Sequence, residues 1–94
     1  MAYILVRHKV ENYAKWKPLF DEHMSTRKAS GSKSGMLLRN AHDPNELVVL
    51  FEWDTLEHAQ QFAQSEDLRQ VMQRAGVVDQ PDIYFLEKVE DTPA

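Results

Sequence analysis

The sequence predicts an α+β fold in which a four-stranded antiparallel sheet carries its helices on one face. Segments rich in β-branched and aromatic residues alternate with segments of helical periodicity, in the order β, α, β, β, α, β. This is the order of two split βαβ units, which build such a sheet. The chain has 94 residues, too few for two hydrophobic cores. We therefore expect a single domain over residues 1–90 and a polar tail over residues 91–94.

The first strand and the first helix occupy the N-terminal third of the chain. Residues Tyr3–Val10 predict a strand, and Asn12 can cap the helix that follows. Arg27 and Lys28 suit the negative end of the helix dipole and, with Lys33, are expected to be solvated. The stretch 30–35, SGSKSG, predicts a flexible connection. Apolar side chains at helical spacing, expected to face the core, are Tyr13, Trp16, Phe20 and Met24.

A hairpin and a further helix follow. Strands are predicted at Met36–Ala41 and Leu47–Trp53, on either side of a turn at His42–Asn45. Asp54 can then cap a helix, with Glu57 three residues later as the second half of a capping box. The side chains of this helix that are expected to point inward are Leu56, Ala59, Phe62 and Ala63.

The C-terminal part of the chain supplies another helix and the last strand. Ser65 is a second candidate cap, and Gly76 suits the position just after a helix. Residues Ile83–Val89 predict the last strand. Between Ser65 and Gly76, the apolar side chains at helical spacing are Leu68, Val71, Met72 and Ala75.

The strands are apolar on both faces, which predicts a partner chain. In the third strand Leu47 and Val49 point one way, while Val48 and Leu50 point the other. A sheet that is covered on one side alternates apolar with polar residues. Because the helices cover one face only, the second face needs another layer. A second copy of the same sheet is the simplest way to provide this layer, so we expect a homodimer through the open face.

Composition excludes several classes of function. A net charge of −4 argues against general nucleic-acid binding, which needs a basic face. The opening MAYILVRHKV has too short an apolar run for a signal peptide or a membrane span, so we expect a cytoplasmic protein without membrane contact. The absence of cysteine excludes disulfides and thiolate metal sites. The four histidines lack metal-ligand spacing, so no metal is expected.

Five short segments carry a resemblance to a known family: NYAKW (12–16), NAHDPNE (40–46), VLFEWDT (49–55), SEDL (65–68) and RAGV (74–77). With these segments, the chain resembles the antibiotic-biosynthesis-monooxygenase-like branch of the dimeric α+β-barrel superfamily over roughly residues 3 to 88. The resemblance implies a ferredoxin-like fold, two sheets packed into a dimeric barrel, and a pocket in each subunit between sheet and helices.

The resemblance also implies candidate activities. Members of this family include oxygenases of polycyclic aromatic phenols that use no cofactor, haem-degrading enzymes, and small isomerases or dehydratases. We therefore expect a monooxygenase without a cofactor, acting on a small hydrophobic, aromatic or polyketide-like molecule. The alternative is a dimer without catalysis that binds a small ligand or is purely structural. In haem-degrading relatives, the segment that resembles 65–72 ends in an iron-binding histidine. Met72 stands there in this chain, which argues against haem degradation.

An oxygenase without a cofactor needs a base or a hydrogen-bond donor to make and hold the substrate anion, inside an apolar pocket. His23, near the inward stripe of the first helix, is the candidate base, and Trp53 is the candidate hydrogen-bond partner of the substrate. His8 faces either the pocket or the dimer interface. Residues expected to line the substrate site are Trp16, Phe20, Arg39, Phe51, Met72 and Tyr84.

Overall fold

The structure is a computed structural model that describes all residues from Met1 to Ala94. It contains four strands and four helices, and residues 88–94 follow the last strand without helix or strand. In chain order the elements are β1 (Ala2–Lys9), α1 (Tyr13–Glu22), α2 (Met24–Ser30), β2 (Ser32–Asn40), β3 (Asp43–Trp53), α3 (Leu56–Ala63), α4 (Glu66–Arg74) and β4 (Asp82–Glu87).

The strands form one antiparallel sheet in the order β2-β3-β1-β4, which confirms the predicted ferredoxin-like α+β fold. Val6 of β1 lies opposite Val49 of β3 and Ile83 of β4. Because side chains alternate along a strand, these residues share the helix-covered face with Ile4 and Phe51. The same face of β1 ends at His8, which is also buried.

The first helix is not continuous as predicted, because the chain breaks at His23 into α1 and α2. His23 has φ −77° and ψ −2°, and its backbone N–H is shared between the carbonyls of Leu19 and Asp21. The break changes which side chains face the core beyond it. Met24, predicted to point inward, is 55% exposed, whereas Arg27, predicted to be solvated, is buried.

The predicted flexible connection over residues 30–35 is instead a tight turn at Gly31 followed directly by β2. Ser32 is already paired with Trp53, so backbone bonds to β3 outweigh the polar composition of this stretch. Gly31 adopts φ +127°, a conformation that L side chains rarely adopt, and a Cβ there would lie 2.8 Å from the Trp53 indole nitrogen. The hairpin turn is also shorter than predicted: it comprises Ala41 and His42, and β3 begins at Asp43.

Side-chain caps begin three of the helices. Asn12 accepts a hydrogen bond from the Lys15 backbone N–H, as predicted. The cap of α3 is Thr55 rather than Asp54, and its hydroxyl accepts from the His58 N–H at 3.1 Å. The Asp54 carboxylate instead accepts from the Thr55 N–H and contacts the His58 ring, so the predicted capping box does not form.

The cap of α4 is Ser65, as predicted, and it offers a test of that helix. Its hydroxyl accepts from the Leu68 N–H and donates to the Phe62 carbonyl. We expect Ser65→Ala to lower the free energy of unfolding by about 1 kcal/mol, the usual cost of losing such a cap. Urea unfolding followed by circular dichroism measures the change. An unaltered midpoint would show that the cap contributes nothing to α4.

The core lies between the sheet and the helices, in two adjoining clusters. One is centred on Ile4, Phe51 and Trp53, and the other on Trp16 and Leu47. Leu56 at the start of α3, predicted to point inward, is 47% exposed. The last strand was predicted to reach Val89 but ends at Glu87. The helix α4 is the only helix without a fully buried residue, so it packs most loosely of the four helices against the core.

The opposite face of the sheet is apolar and uncovered in the single chain. Leu5 of β1 lies between Leu50 of β3 and Tyr84 of β4. Leu50 in turn pairs with Met36 of the edge strand β2. Met36 and Tyr84 are exposed, while Leu5 and Leu50 are half-buried. None of the four helices combines the length and the hydrophobicity needed to cross a bilayer.

Candidate functional site

An apolar cavity of about 60 Å³ lies between the sheet and the helices. Thirteen of its sixteen lining residues are hydrophobic. The sheet supplies its floor, α1 and α2 one side, and α3 and α4 the other. The three polar residues in the wall are His8, His23 and Arg27. Among the side chains expected at a substrate site, those that line this cavity are Trp16, Phe20, Phe51 and Met72.

His8 is the most unusual polar group in the cavity wall. Its side chain comes from the helix-covered face of β1 and is 4% exposed, and neither Nδ1 nor Nε2 has a hydrogen-bond partner in the protein. The ring meets Trp16 edge to face. Burial lowers the pKa of His8 below its ordinary value of 6.5, against a raising effect of Asp79. The imidazole is therefore neutral near pH 7, with one donor and one acceptor free for a bound molecule.

His23 also lines the cavity, at the break between α1 and α2. It is 8% exposed, and its Nε2 lies 2.7 Å from Oδ2 of Asp67 on α4. When Nε2–H donates to this carboxylate, Nδ1 carries the lone pair and can accept a proton. A carboxylate that orients an imidazole in this way is the arrangement of a general base with its positioning partner. Asp67 itself is exposed, so this pair lies at the edge of the cavity.

Arg27 was not expected at the site, yet its guanidinium is buried in the cavity wall. Nη1 donates to the Phe20 carbonyl at 2.8 Å, and the charge lies 4.1 Å from the centre of the Phe20 ring and 5.3 Å from that of Phe51. Burial lowers the pKa of Arg27 below its ordinary value. The helix break at His23, which turns this side chain inward, has no signal in helical periodicity.

Trp53 is fully buried but does not line the cavity. Its indole Nε1–H donates to the Ser30 carbonyl at 3.2 Å, so this donor is already used within the protein. The ring packs against Phe51 and Phe62, both of which do line the cavity. Trp53 therefore contacts the site through these two phenyl rings.

Two residues expected at the substrate site lie elsewhere. Arg39 is exposed on β2, where its guanidinium lies over the Tyr13 ring. Tyr84 is exposed on the open face of the sheet, on the side away from the cavity. The position of Tyr84 follows from strand alternation once the register of β4 is known, and the sequence alone left that register open. Arg39 pairs with Leu47 and so shares the helix-covered face, but it lies on the edge strand β2, outside the cavity.

Arg7, which follows the same alternation, also points away from the cavity. It forms ion pairs with Glu46, Asp79 and Asp82 at 2.7 to 3.0 Å. These hydrogen bonds raise the pKa of Arg7 further above its ordinary value. The pairs join β1 to β3, to β4 and to the segment before β4, so the role of Arg7 is to hold one end of the sheet together.

Sequence comparison identifies the family of this chain. The family model described as antibiotic biosynthesis monooxygenase matches residues 1–74, more than half of the chain. The chain belongs to the antibiotic biosynthesis monooxygenase family. The match includes His8, His23, Arg27 and the Trp53 segment, and it confirms the resemblance that the short motifs indicated. No curated protein sequence shows significant similarity to the chain.

Solved structures share the fold of this family member. SnoaB, a cofactor-independent oxygenase from Streptomyces nogalater, is 13% identical, with 99% of this chain and 97% of that chain covered and a TM-score of 0.78. An antibiotic biosynthesis monooxygenase is 15% identical, with coverage of 96% and 100% and a TM-score of 0.73. A conserved protein from Methanosarcina mazei is 14% identical, with coverage of 93% and 91% and a TM-score of 0.73. At these identities the likeness concerns the fold alone.

Proposed function

We propose that this protein is a cofactor-independent monooxygenase that acts on a small, hydrophobic, electron-rich aromatic molecule. The observation that carries the proposal is an apolar cavity with two buried imidazoles, of which His23 has a carboxylate partner and His8 has none. Membership of the antibiotic biosynthesis monooxygenase family supports it, as does the shared fold with SnoaB, which is itself a cofactor-independent oxygenase.

The chemistry requires little from the protein beyond these groups. A base removes a proton from a phenol or its keto tautomer, and the resulting anion supplies electrons to O2. One oxygen atom forms the new carbonyl at a CH₂ carbon, and the other leaves with the two hydrogens as water. The apolar wall admits O2 and strengthens each hydrogen bond to the substrate anion.

The residues take separate roles in this proposal. His23, oriented by Asp67, is the base that removes the proton. Neutral His8 donates a hydrogen bond to the substrate oxygen, or accepts one from it. Trp53 is a positioning residue, because it holds the phenyl rings of Phe51 and Phe62 that line the cavity. Trp16, Phe20 and the two phenyl rings contact the aromatic body of the substrate.

The size of the cavity bears on the substrate. About 60 Å³ is well below the roughly 150 Å³ of an apolar cavity that holds benzene. A polycyclic substrate therefore requires side chains to move. Among the helices, α4 would lose the least buried packing on moving, because it has no fully buried residue. Its inward residues Leu68, Val71 and Met72 are only half-buried. We propose that α4 shifts outward when the substrate enters.

His23→Ala tests the assignment of the base. We expect the rate of O2 uptake with electron-rich phenols of one to three rings to fall about 100-fold or more, because a general base contributes that much. An oxygen electrode, with a metal chelator and no added flavin, measures the rate. His58→Ala is the matched control: His58 also contacts a carboxylate, Asp54, but is exposed and outside the cavity. Equal loss in both variants would remove His23 as the base.

The small cavity favours a second candidate, a dimer without catalysis that binds a small ligand. About 60 Å³ of apolar space suits a ligand of a few heavy atoms better than a polyketide. The two candidates differ in turnover. Saturable O2 uptake that depends on His23 supports the oxygenase, whereas binding of small apolar molecules without uptake by the wild type supports the ligand-binding dimer.

We also propose that the protein is a homodimer through the open face of its sheet. The support is the apolar face around Leu5, Leu50 and Tyr84, which the helices of the same chain leave uncovered. Two such faces packed together form a two-layered sheet with the helices outside. The cavity lies on the other side of each sheet, so each subunit keeps its own site.

A further inference from the structure

The cation of Arg27 is buried without an anionic partner. Its side chain is 7% exposed, and no carboxylate lies within ion-pair distance. Its one side-chain hydrogen bond uses Nη1, on the Phe20 carbonyl. A guanidinium has five N–H donors, so most of its donor capacity remains for other groups. Buried charges in proteins are usually paired, which makes this group exceptional.

The contacts with the two phenyl rings do not replace a partner anion. The ring of Phe20 at 4.1 Å stabilises the cation, and the ring of Phe51 at 5.3 Å adds less. The free-energy cost of removing a guanidinium from water is larger than the stabilisation from such contacts, unless an anion and further hydrogen bonds compensate for it. Burial lowers the pKa of Arg27, and the negative charge of Asp21 offsets this effect only in part. The free protein therefore carries a cation that an anionic ligand would stabilise.

Arg27 also lies where such a ligand could enter. It belongs to the wall of the cavity and to that of a second, wider cleft of about 360 Å³ between α1, α2 and β2. Phe20 and Phe51 are likewise shared by both walls. The cleft adds Lys28 and Lys33, and its single acid, Asp21, is already paired with Lys17. In a chain with a net charge of −4, this is a local concentration of positive charge.

We propose that Arg27 binds the carboxylate of a substrate whose aromatic body lies in the adjoining apolar cavity. The substrate class is then an aromatic acid rather than a neutral aromatic molecule. The inference rests on the proposed function only in taking this cavity as the substrate site. A carboxylate matches the planar fork of the guanidinium in two parallel hydrogen bonds, and the lysines of the cleft attract the anion toward it.

The test compares benzoate with its neutral isostere benzamide by isothermal titration calorimetry. We expect the wild type to bind benzoate at least tenfold more tightly, as charge-assisted hydrogen bonds predict. Arg27→Met should remove this preference while the affinity for benzamide and the melting temperature do not fall. Arg27→Lys, which keeps a cation, should retain part of the preference. Lys15→Met, which removes an exposed cation that lines neither wall and forms no ion pair, should leave the preference unchanged.

Three results would overturn the inference. One is equal affinity of the wild type for the two ligands, including binding of neither. Another is an unchanged benzoate preference in Arg27→Met. The third is loss of benzamide together with benzoate and a lower melting temperature in that variant, since this is what a purely structural role predicts. The assay requires no turnover, so an inactive protein could still show the preference, and an oxygenase of neutral phenols would lack it.

Discussion

Substitution of Leu50 by lysine is expected to convert the protein from a dimer into a monomer at micromolar concentration. Leu50 lies near the middle of the open face, opposite Leu5 on one side and Met36 on the other. By two-fold symmetry, each substitution places two ammonium groups in the same interface. Desolvation of an unpaired charge costs several kcal/mol. We therefore expect the dissociation constant to rise by at least about 1,000-fold, which corresponds to roughly 4 kcal/mol.

Sedimentation velocity measures this change directly over about 1 to 50 µM of protein. Val48→Lys, on the same face and opposite Arg7, should act in the same direction. Glu57→Lys is the charge control, because it introduces a lysine on the exposed surface of α3, away from the open face. A wild type that is a folded monomer across this range would contradict the proposed dimer, whatever the variants do.

Substitution of His8 by leucine is expected to stabilise the protein and to abolish its activity. Both ring nitrogens of His8 are buried without partners, and each unsatisfied polar group of this kind costs about 1–3 kcal/mol. Leucine has a similar volume and no polar atom, so the free energy of unfolding at pH 7.5 should rise by about 1–3 kcal/mol. Activity should be lost, because the group that bonds the substrate oxygen is removed. Urea unfolding and O2 uptake measure the two effects.

The same substitution should change how stability depends on pH. Burial holds the pKa of His8 below 6.5 in the folded state, while the unfolded chain binds a proton near 6.5. Of the charges that act on the ring, Asp79 raises this pKa and Arg7 lowers it. Protonation of this residue in the unfolded chain therefore lowers the free energy of unfolding only below about pH 6.5. The free energy of unfolding falls as the pH drops from 6.5 toward the folded pKa, by up to about 1.4 kcal/mol per pH unit.

Unfolding experiments between pH 7.5 and 5 separate His8 from the other histidines. His8→Leu should flatten the dependence that the wild type shows in this window. His58→Leu is the control, since His58 is exposed and pairs with Asp54, and it should retain the slope attributed to His8. The interpretation of His8 as an unsatisfied group would be wrong if His8→Leu lowered the stability at pH 7.5.

Several features of the fold were predictable because their causes are local. Strand alternation and helical spacing gave the order of elements, and the caps at Asn12 and Ser65 need only a side chain and the next turn of backbone. One of the errors has a clearly non-local cause. The stretch 30–35 has the composition of a loop, but pairing of Ser32 with Trp53 draws it into β2. Propensity yields to long-range hydrogen bonding in such cases.

The candidate site was predicted only in part. The spacing of Trp16 and Phe20 on one helix stripe placed both in the cavity wall, and His23 lies beside them. Tyr84 lies on the open face, because strand register decides which face a residue occupies and a shift of one residue reverses it. Arg39 lies on the helix-covered face, but on the edge strand β2 beside Tyr13 and outside the cavity. Trp53 lies on the expected face, but the turn at Gly31 brings the Ser30 carbonyl to its indole nitrogen.

The sequence by itself determined the fold, the family, the two-sided apolar sheet and the apolar lining of the cavity, because each depends on residue type and on spacing along one element. Only the tertiary structure decided the polar chemistry of the site. It brought Asp67 of α4 to His23, left both nitrogens of His8 without partners, and turned Arg27 inward. The first two facts depend on distances between elements far apart in the chain, and the third depends on the helix break at His23. The periodicity of a single element carries no information about either.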